Sequence, residues 1–179
     1  MRPGCVSLRR VASHRLLRLL LPVSALVLSP SLGCTRAYLQ NEGPYTITAT
    51  EVLRDDCGLS ASSTQLWDGS LSISGDVVRM DLGFMDMQLI GAFLDASSED
   101  SDAFSLDGSV SNAPLSVAGR ACIVDQVAVH LTGTTQCATQ FDGVMSVRYE
   151  PRIDQAGCAC QLWVRYRAVQ NASPCESAP

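Results

Sequence analysis

From Tyr45 onward the apolar residues recur at every second position, and that alternation constrains this chain more than any other feature. Side chains of a strand point alternately to its two faces. A sustained period of two therefore describes strands with one buried and one wet face, whereas a helix would show a period of about 3.6. "YTITATEVL" opens the series, and "GSLSISGDVVRMDLG" follows as a hairpin around Gly75-Asp76. Glycine there supplies the positive φ that the first central position of a type II′ turn requires. Pairing Ser74 with Val77 then collects Leu71, Ile73, Val78, Met80 and Leu82 on one face. "MQLIGAFL", "AFSLDGSV" and "PLSVAGRA" read as shorter strands, and "CIVDQVAVHLT", "FDGVMSVRYE" and "ACQLWVRYRAV" as long ones. No stretch has the caps and spacing of an amphipathic helix.

The predicted fold class is all-β, an antiparallel meander of about seven to nine strands. One open sheet would leave an apolar face in water, so the meander must close on itself or fold into two layers. An up-and-down barrel, lipocalin-like in architecture alone, is the first expectation and a β-sandwich the second. Leu71, Ile73, Val78, Met80, Met145, Val147, Leu162 and Val164 point inward on this reading and suffice to fill a small barrel.

Ahead of the strands the chain has the layout of an export signal. Residues 1–18 carry Arg2, Arg9, Arg10, Arg15 and Arg18 and no acidic residue, and the ten residues Leu19 to Leu28 are uncharged. Ten is short of the roughly 20 residues that span a bilayer as a helix. The junction that follows, "SLGC", has Leu32 and Gly33 before Cys34, with Ser31 one position earlier, where leucine is usual. It resembles the lipobox of bacterial lipoproteins. That resemblance covers residues 1–34 only and implies cleavage before Cys34 and a diacylglycerol on its sulfur. It also implies anchoring in the outer membrane or cell envelope, since Thr35 stands where an aspartate would favour inner-membrane retention. The expected organisation is a signal peptide over 1–33, a lipidated cysteine and short tether over 34–44, and a disulfide-stapled β domain over 45–179.

Cysteine parity bears on the same point. Beyond the leader stand Cys34, Cys57, Cys122, Cys137, Cys158, Cys160 and Cys175, an odd number for an oxidising compartment. If Cys34 carries lipid, six remain for three bridges. Facing the apolar sides of the last three strands sets Leu131 opposite Met145 and Val129 opposite Val147, then Val147 opposite Leu162 and Tyr149 opposite Cys160. Extending these registers predicts Cys137–Cys175, with Cys57 and Cys122 each bonded to one of Cys158 and Cys160. The rival reading of "CAC" is a soft-metal site, which lacks a neighbouring histidine.

From Cys34 onward eight arginines and no lysine face eighteen Asp and Glu, a formal charge of −10. Such a balance argues against nucleic acid as a partner. Motifs for phosphate loops, metalloproteases or nucleophile elbows are absent, so no catalysis and no cofactor are expected. Asp95, Glu99, Asp100 and Asp102 cluster between two strands and read as a solvated loop rather than a metal site, lacking the spacing of a calcium loop. The residues that suggest binding lie on the outer face of the last strands: His130, Arg148, Trp163, Arg165 and Arg167, with Ser146 opposite Trp163. Arginine forks and an indole could hold a sugar ring or an anionic group. Alternatively, a loop covers Trp163 and the arginines lie across it as a lid. The function expected is that of a membrane-anchored, non-catalytic binding or structural accessory module. Its partners would be the bilayer, through acylated Cys34, and an envelope polysaccharide or another envelope protein. A carrier of a small apolar ligand inside the barrel is the alternative.

Overall fold

Alternation and short turns translate into eight strands: β1 (Gly43–Asp55), β2 (Gln65–Ser74), β3 (Val77–Leu82), β4 (Met87–Phe93), β5 (Ala103–Val117), β6 (Arg120–Cys137), β7 (Gln140–Pro151) and β8 (Cys160–Gln170). In the computed structural model, which describes residues 40–60, 64–94, 102–117, 119–170 and 173–175, each strand pairs antiparallel with its sequence neighbours. β1 returns to β8, from Tyr45↔Gln170 to Asp55↔Leu162, and closes an up-and-down barrel rather than a sandwich. The proposed signal peptide and Cys34 lie outside the described residues, as do Asp95, Glu99 and Asp100.

The registers expected from facing apolar sides are those observed. Ser74 pairs with Val77 across the turn, where Gly75 has φ +60°. Leu131↔Met145, Val129↔Val147 and Val127↔Tyr149 join β6 to β7. Val147↔Leu162, Met145↔Val164 and Tyr149↔Cys160 join β7 to β8. Two boundaries differ from expectation. "AFSLDGSV" and "PLSV" form one strand, β5, in which Asn112 adopts φ +54° and accepts a hydrogen bond on Oδ1 from Arg152 Nη2 at 2.8 Å. That single left-handed residue interrupts the alternation and makes one strand read as two. The segment expected as tether to residue 44 is tied to the barrel from residue 40. Buried Gln40 donates to Tyr45 Oη and to the Ala138 carbonyl (3.1 Å), and Asn41 N–H donates to the same carbonyl at 2.8 Å.

Inside, Phe141 is the hub of an aromatic cluster. Its ring centroid lies 5.0 Å from Tyr45, 5.2 Å from Phe104 and 6.0 Å from Tyr166, and all four side chains are buried. Met80, Leu82, Met87, Leu89, Leu106, Leu131 and Met145 fill the remaining layers. Two strand glycines make room for the rings. Phe104 pairs with Gly133, where an added Cβ would fall 2.4 Å from its ring, and Gly133 pairs with Gly143. A Cβ on Gly143 would fall 1.8 Å from the Thr132 carbonyl oxygen, so the backbone there bends more tightly than a side chain permits.

Three bridges staple the barrel: Cys57–Cys160, Cys122–Cys158 and Cys137–Cys175. The last is the pair expected, and the open choice resolves with Cys57 on Cys160 and Cys122 on Cys158. Three disulfides in one domain of this size point to an oxidising, exported environment.

Burial governs the tyrosines. It pushes the Tyr149 phenol up to about 12, with the Asp55 carboxylate adding to the effect. It raises Tyr166 well above its ordinary value, with help from Asp142, and raises Tyr45 against the opposing hydrogen bond from Gln40. A folded-state pKa above the unfolded value of 10.0 contributes stability that is complete below pH 10 and lost as pH rises toward 12. Urea unfolding between those limits is therefore expected to lose up to roughly 2 kcal/mol from Tyr149. A stability that stays flat across the window would exclude buried, protonated phenols.

Candidate functional site

The same period of two that fills the barrel sets a regular array of side chains on its outer wall. Cross-strand pairing aligns Asp107 (β5), His130 (β6), Ser146 (β7), Trp163 (β8) and Arg54 (β1) in one transverse row. All five residues that the sequence singles out for binding point outward on this wall. Arg148 lies one step along β7 from Ser146, and Arg165 and Arg167 follow Trp163 along β8.

Their interactions differ from the expected lid. Arg165 Nε contacts Glu51 Oε2 at 3.0 Å, and Arg167 grips Asp142 through Nε (3.2 Å) and Nη2 (3.4 Å). Arg54 pairs with Asp56 and donates to Gln161 Oε1 at 3.1 Å. These arginines are held by acceptors, and Trp163 is 50% exposed. Arg148 is the exception. It has only a long ion pair with Glu150, at 3.9 Å, beyond hydrogen-bond distance, so it is held less closely than the other three.

Between His130 and Arg148 the wall sinks into an open trough of about 570 Å³ lined by Asp107, Gly108, Ser109, Gln126, Ala128, His130, Ser146 and Arg148. Its floor is low because the outward-facing Ser109, Ala128 and Ser146 are small. His130 Nδ1 lies 2.7 Å from Asp107 Oδ1. A carboxylate oxygen accepts, so the contact is a hydrogen bond from the ring Nδ1–H across β5 and β6. Asp, His and Ser in one row are the residue types of an acyl-transfer triad. Among the described residues, however, no hydrogen bond joins Ser146 to His130, and the imidazole and carboxylate are 49% and 72% exposed. The arrangement offers a fixed set of donors and acceptors around a shallow floor.

Asp107, Ser109 and Gln126 were not evident as site residues in the sequence. The signal that finds them is the turn at Gly119, whose φ of +77° allows Val117 to pair with Arg120 and thereby sets Asp107 opposite His130. The soft-metal reading of "CAC" is overturned, because both sulfurs are consumed in disulfides and neither is a free thiolate. Of the acidic cluster only Asp102 is among the described residues, and in that set no three His, Cys, Asp or Glu side chains converge as metal ligands. Compared with protein-family models, with curated proteins and with solved structures, the chain matches none.

Proposed function

We propose that this chain is an exported lipoprotein, held in the outer membrane or cell envelope through acylated Cys34, whose barrel is a non-catalytic binding or structural accessory module acting through its outer wall. The observation that carries the reading is a half-exposed tryptophan set in a polar row on the outside of a barrel whose inside is filled. An indole left in water on a folded domain costs stability that burial would have supplied, and such residues concentrate where another molecule covers them. Lipid at Cys34 would leave five residues before Gln40, a reach of about 20 Å when extended, and two acyl chains make a stable anchor. Carriage of an apolar ligand has less support. Such sites enclose about 300–1,000 Å³ of largely apolar space, and here the packed rings of Tyr45, Phe104, Phe141 and Tyr166 are buried inside the barrel.

Two measurements on one preparation test the proposal. The intact mass of the protein from its native envelope should correspond to a chain starting at Cys34 plus acyl groups, and gain six hydrogen atoms on reduction of the three bridges. Retention on purified envelope polysaccharide or envelope protein should fall at least about threefold in Trp163→Ala, a loss of roughly 0.6 kcal/mol or more. An unmodified N-terminus downstream of Cys34 removes the anchor, and unchanged retention removes the outer wall from the function.

A further inference from the structure

Resting on the outer-wall reading, we propose that the trough beside Trp163 binds a sugar ring bearing one carboxylate, with Trp163 as the stacking platform and Arg148 as the carboxylate clamp. Shape argues first. A shallow, open depression floored by small residues cannot desolvate a compact apolar ligand, but it accommodates a flat ring bonded along its edges. Trp163 does not line the trough itself but stands opposite its lining residue Ser146 on the next strand, where the half-exposed indole supplies an apolar face at the rim suited to the C–H face of a pyranose. Polar groups argue second. Gln126, Ser146 and the His130–Asp107 pair surround the floor with donors and acceptors fixed by the sheet, which suits vicinal hydroxyls.

Charge selects among sugars. Arg165 and Arg167 are engaged at 3.0 and 3.2 Å by Glu51 and Asp142, whereas Arg148 has only a 3.9 Å ion pair with Glu150, which a ligand carboxylate can displace from its planar fork. One loosely held arginine, in a trough that Asp107 also lines, favours a ligand with one negative group and a neutral remainder. The formal charge of −10 beyond the leader opposes densely charged polyanions. The occupant is thus an acidic saccharide unit in an otherwise neutral chain.

The test uses the full domain carrying Trp67→Phe, so that fluorescence reports Trp163 alone; Trp67 stacks on Phe84 at 4.5 Å, away from the trough. Sodium glucuronate, methyl glucoside and inorganic phosphate are titrated separately. Glucuronate is expected to bind about fivefold more tightly than the glucoside, the size of a partly exposed charge pair, and phosphate not to perturb Trp163. Arg148→Gln should reduce glucuronate to the level of the glucoside. By calorimetry, Trp163→Ala should lose both sugars. Equal affinity for the two sugars, binding unchanged by Arg148→Gln, or phosphate binding as well as glucuronate would overturn the assignment. Sugars that fail to bind while Trp163→Ala still lowers envelope retention overturn this inference alone; unchanged retention overturns the outer-wall reading as well.

Discussion

Replacing Cys57 and Cys160 together by alanine is expected to lower folding stability by about 4 kcal/mol, the largest effect of any single bridge in this protein. The loop it closes spans 103 residues, against 36 for Cys122–Cys158 and 38 for Cys137–Cys175. Loop-closure entropy grows only logarithmically, so chain entropy alone separates the long loop from the short ones by just under about 1 kcal/mol. Position adds to the difference. Cys57 follows β1 and Cys160 opens β8, the two strands whose pairing closes the barrel. Among the described residues, β1 pairs with β2 as far as Thr48↔Gln65, and from Glu51 to Asp55 its strand partners are on β8, across two register shifts. Without the bridge the end of this half-strand loses its covalent tie to β8 and is expected to fray. Urea unfolding under non-reducing conditions measures the loss. A decrease below 1 kcal/mol, or a larger decrease from removing either shorter loop, would contradict the role of this bridge at the seam.

Phe141→Ala is expected to cost about 3–5 kcal/mol, because it deletes the ring that touches Tyr45, Phe104 and Tyr166 and leaves a void that the closed sheet cannot collapse to fill. In a domain of this size that loss lowers the melting temperature by on the order of 10–20 °C. Trp163→Ala removes a larger side chain from the outer wall and should change stability by about 0.5 kcal/mol or less. The contrast separates packing from binding: one aromatic supports the fold and the other is held out to solvent. Comparable losses in the two variants, by thermal unfolding monitored in the far ultraviolet, would place Trp163 in the core and dismiss it as a recognition residue.

Much of the architecture was legible before any coordinates. Alternation alone orders Leu131, Met145 and Val164 into one inward layer, since a shift of one residue would turn every apolar side chain of a strand to water. Extending that register far enough brings Cys137 to Cys175. The split reading of β5 had a local cause in Asn112, whose left-handed backbone suspends the period of two without ending the strand. The site was half legible. His130, Arg148, Trp163, Arg165 and Arg167 lie on the expected face, because face follows from the parity of position. Which arginine is held least closely does not follow from parity, since Glu51 and Asp142 reach Arg165 and Arg167 from neighbouring strands.

The alternating pattern and the spacing of its turns determined by themselves an all-β meander, the inward and outward identity of most strand residues, and one disulfide outright. Closure between β1 and β8, the pairing of Cys57 with Cys160, the ring cluster about Phe141 and the loose hold on Arg148 were decided only in three dimensions. The division has one physical origin. Side-chain direction along a strand is a local property of backbone geometry, repeated every two residues. The neighbour a side chain meets depends instead on strands brought together from distant parts of the chain. In a barrel the last such meeting joins the first strand to the eighth, where no local signal reaches.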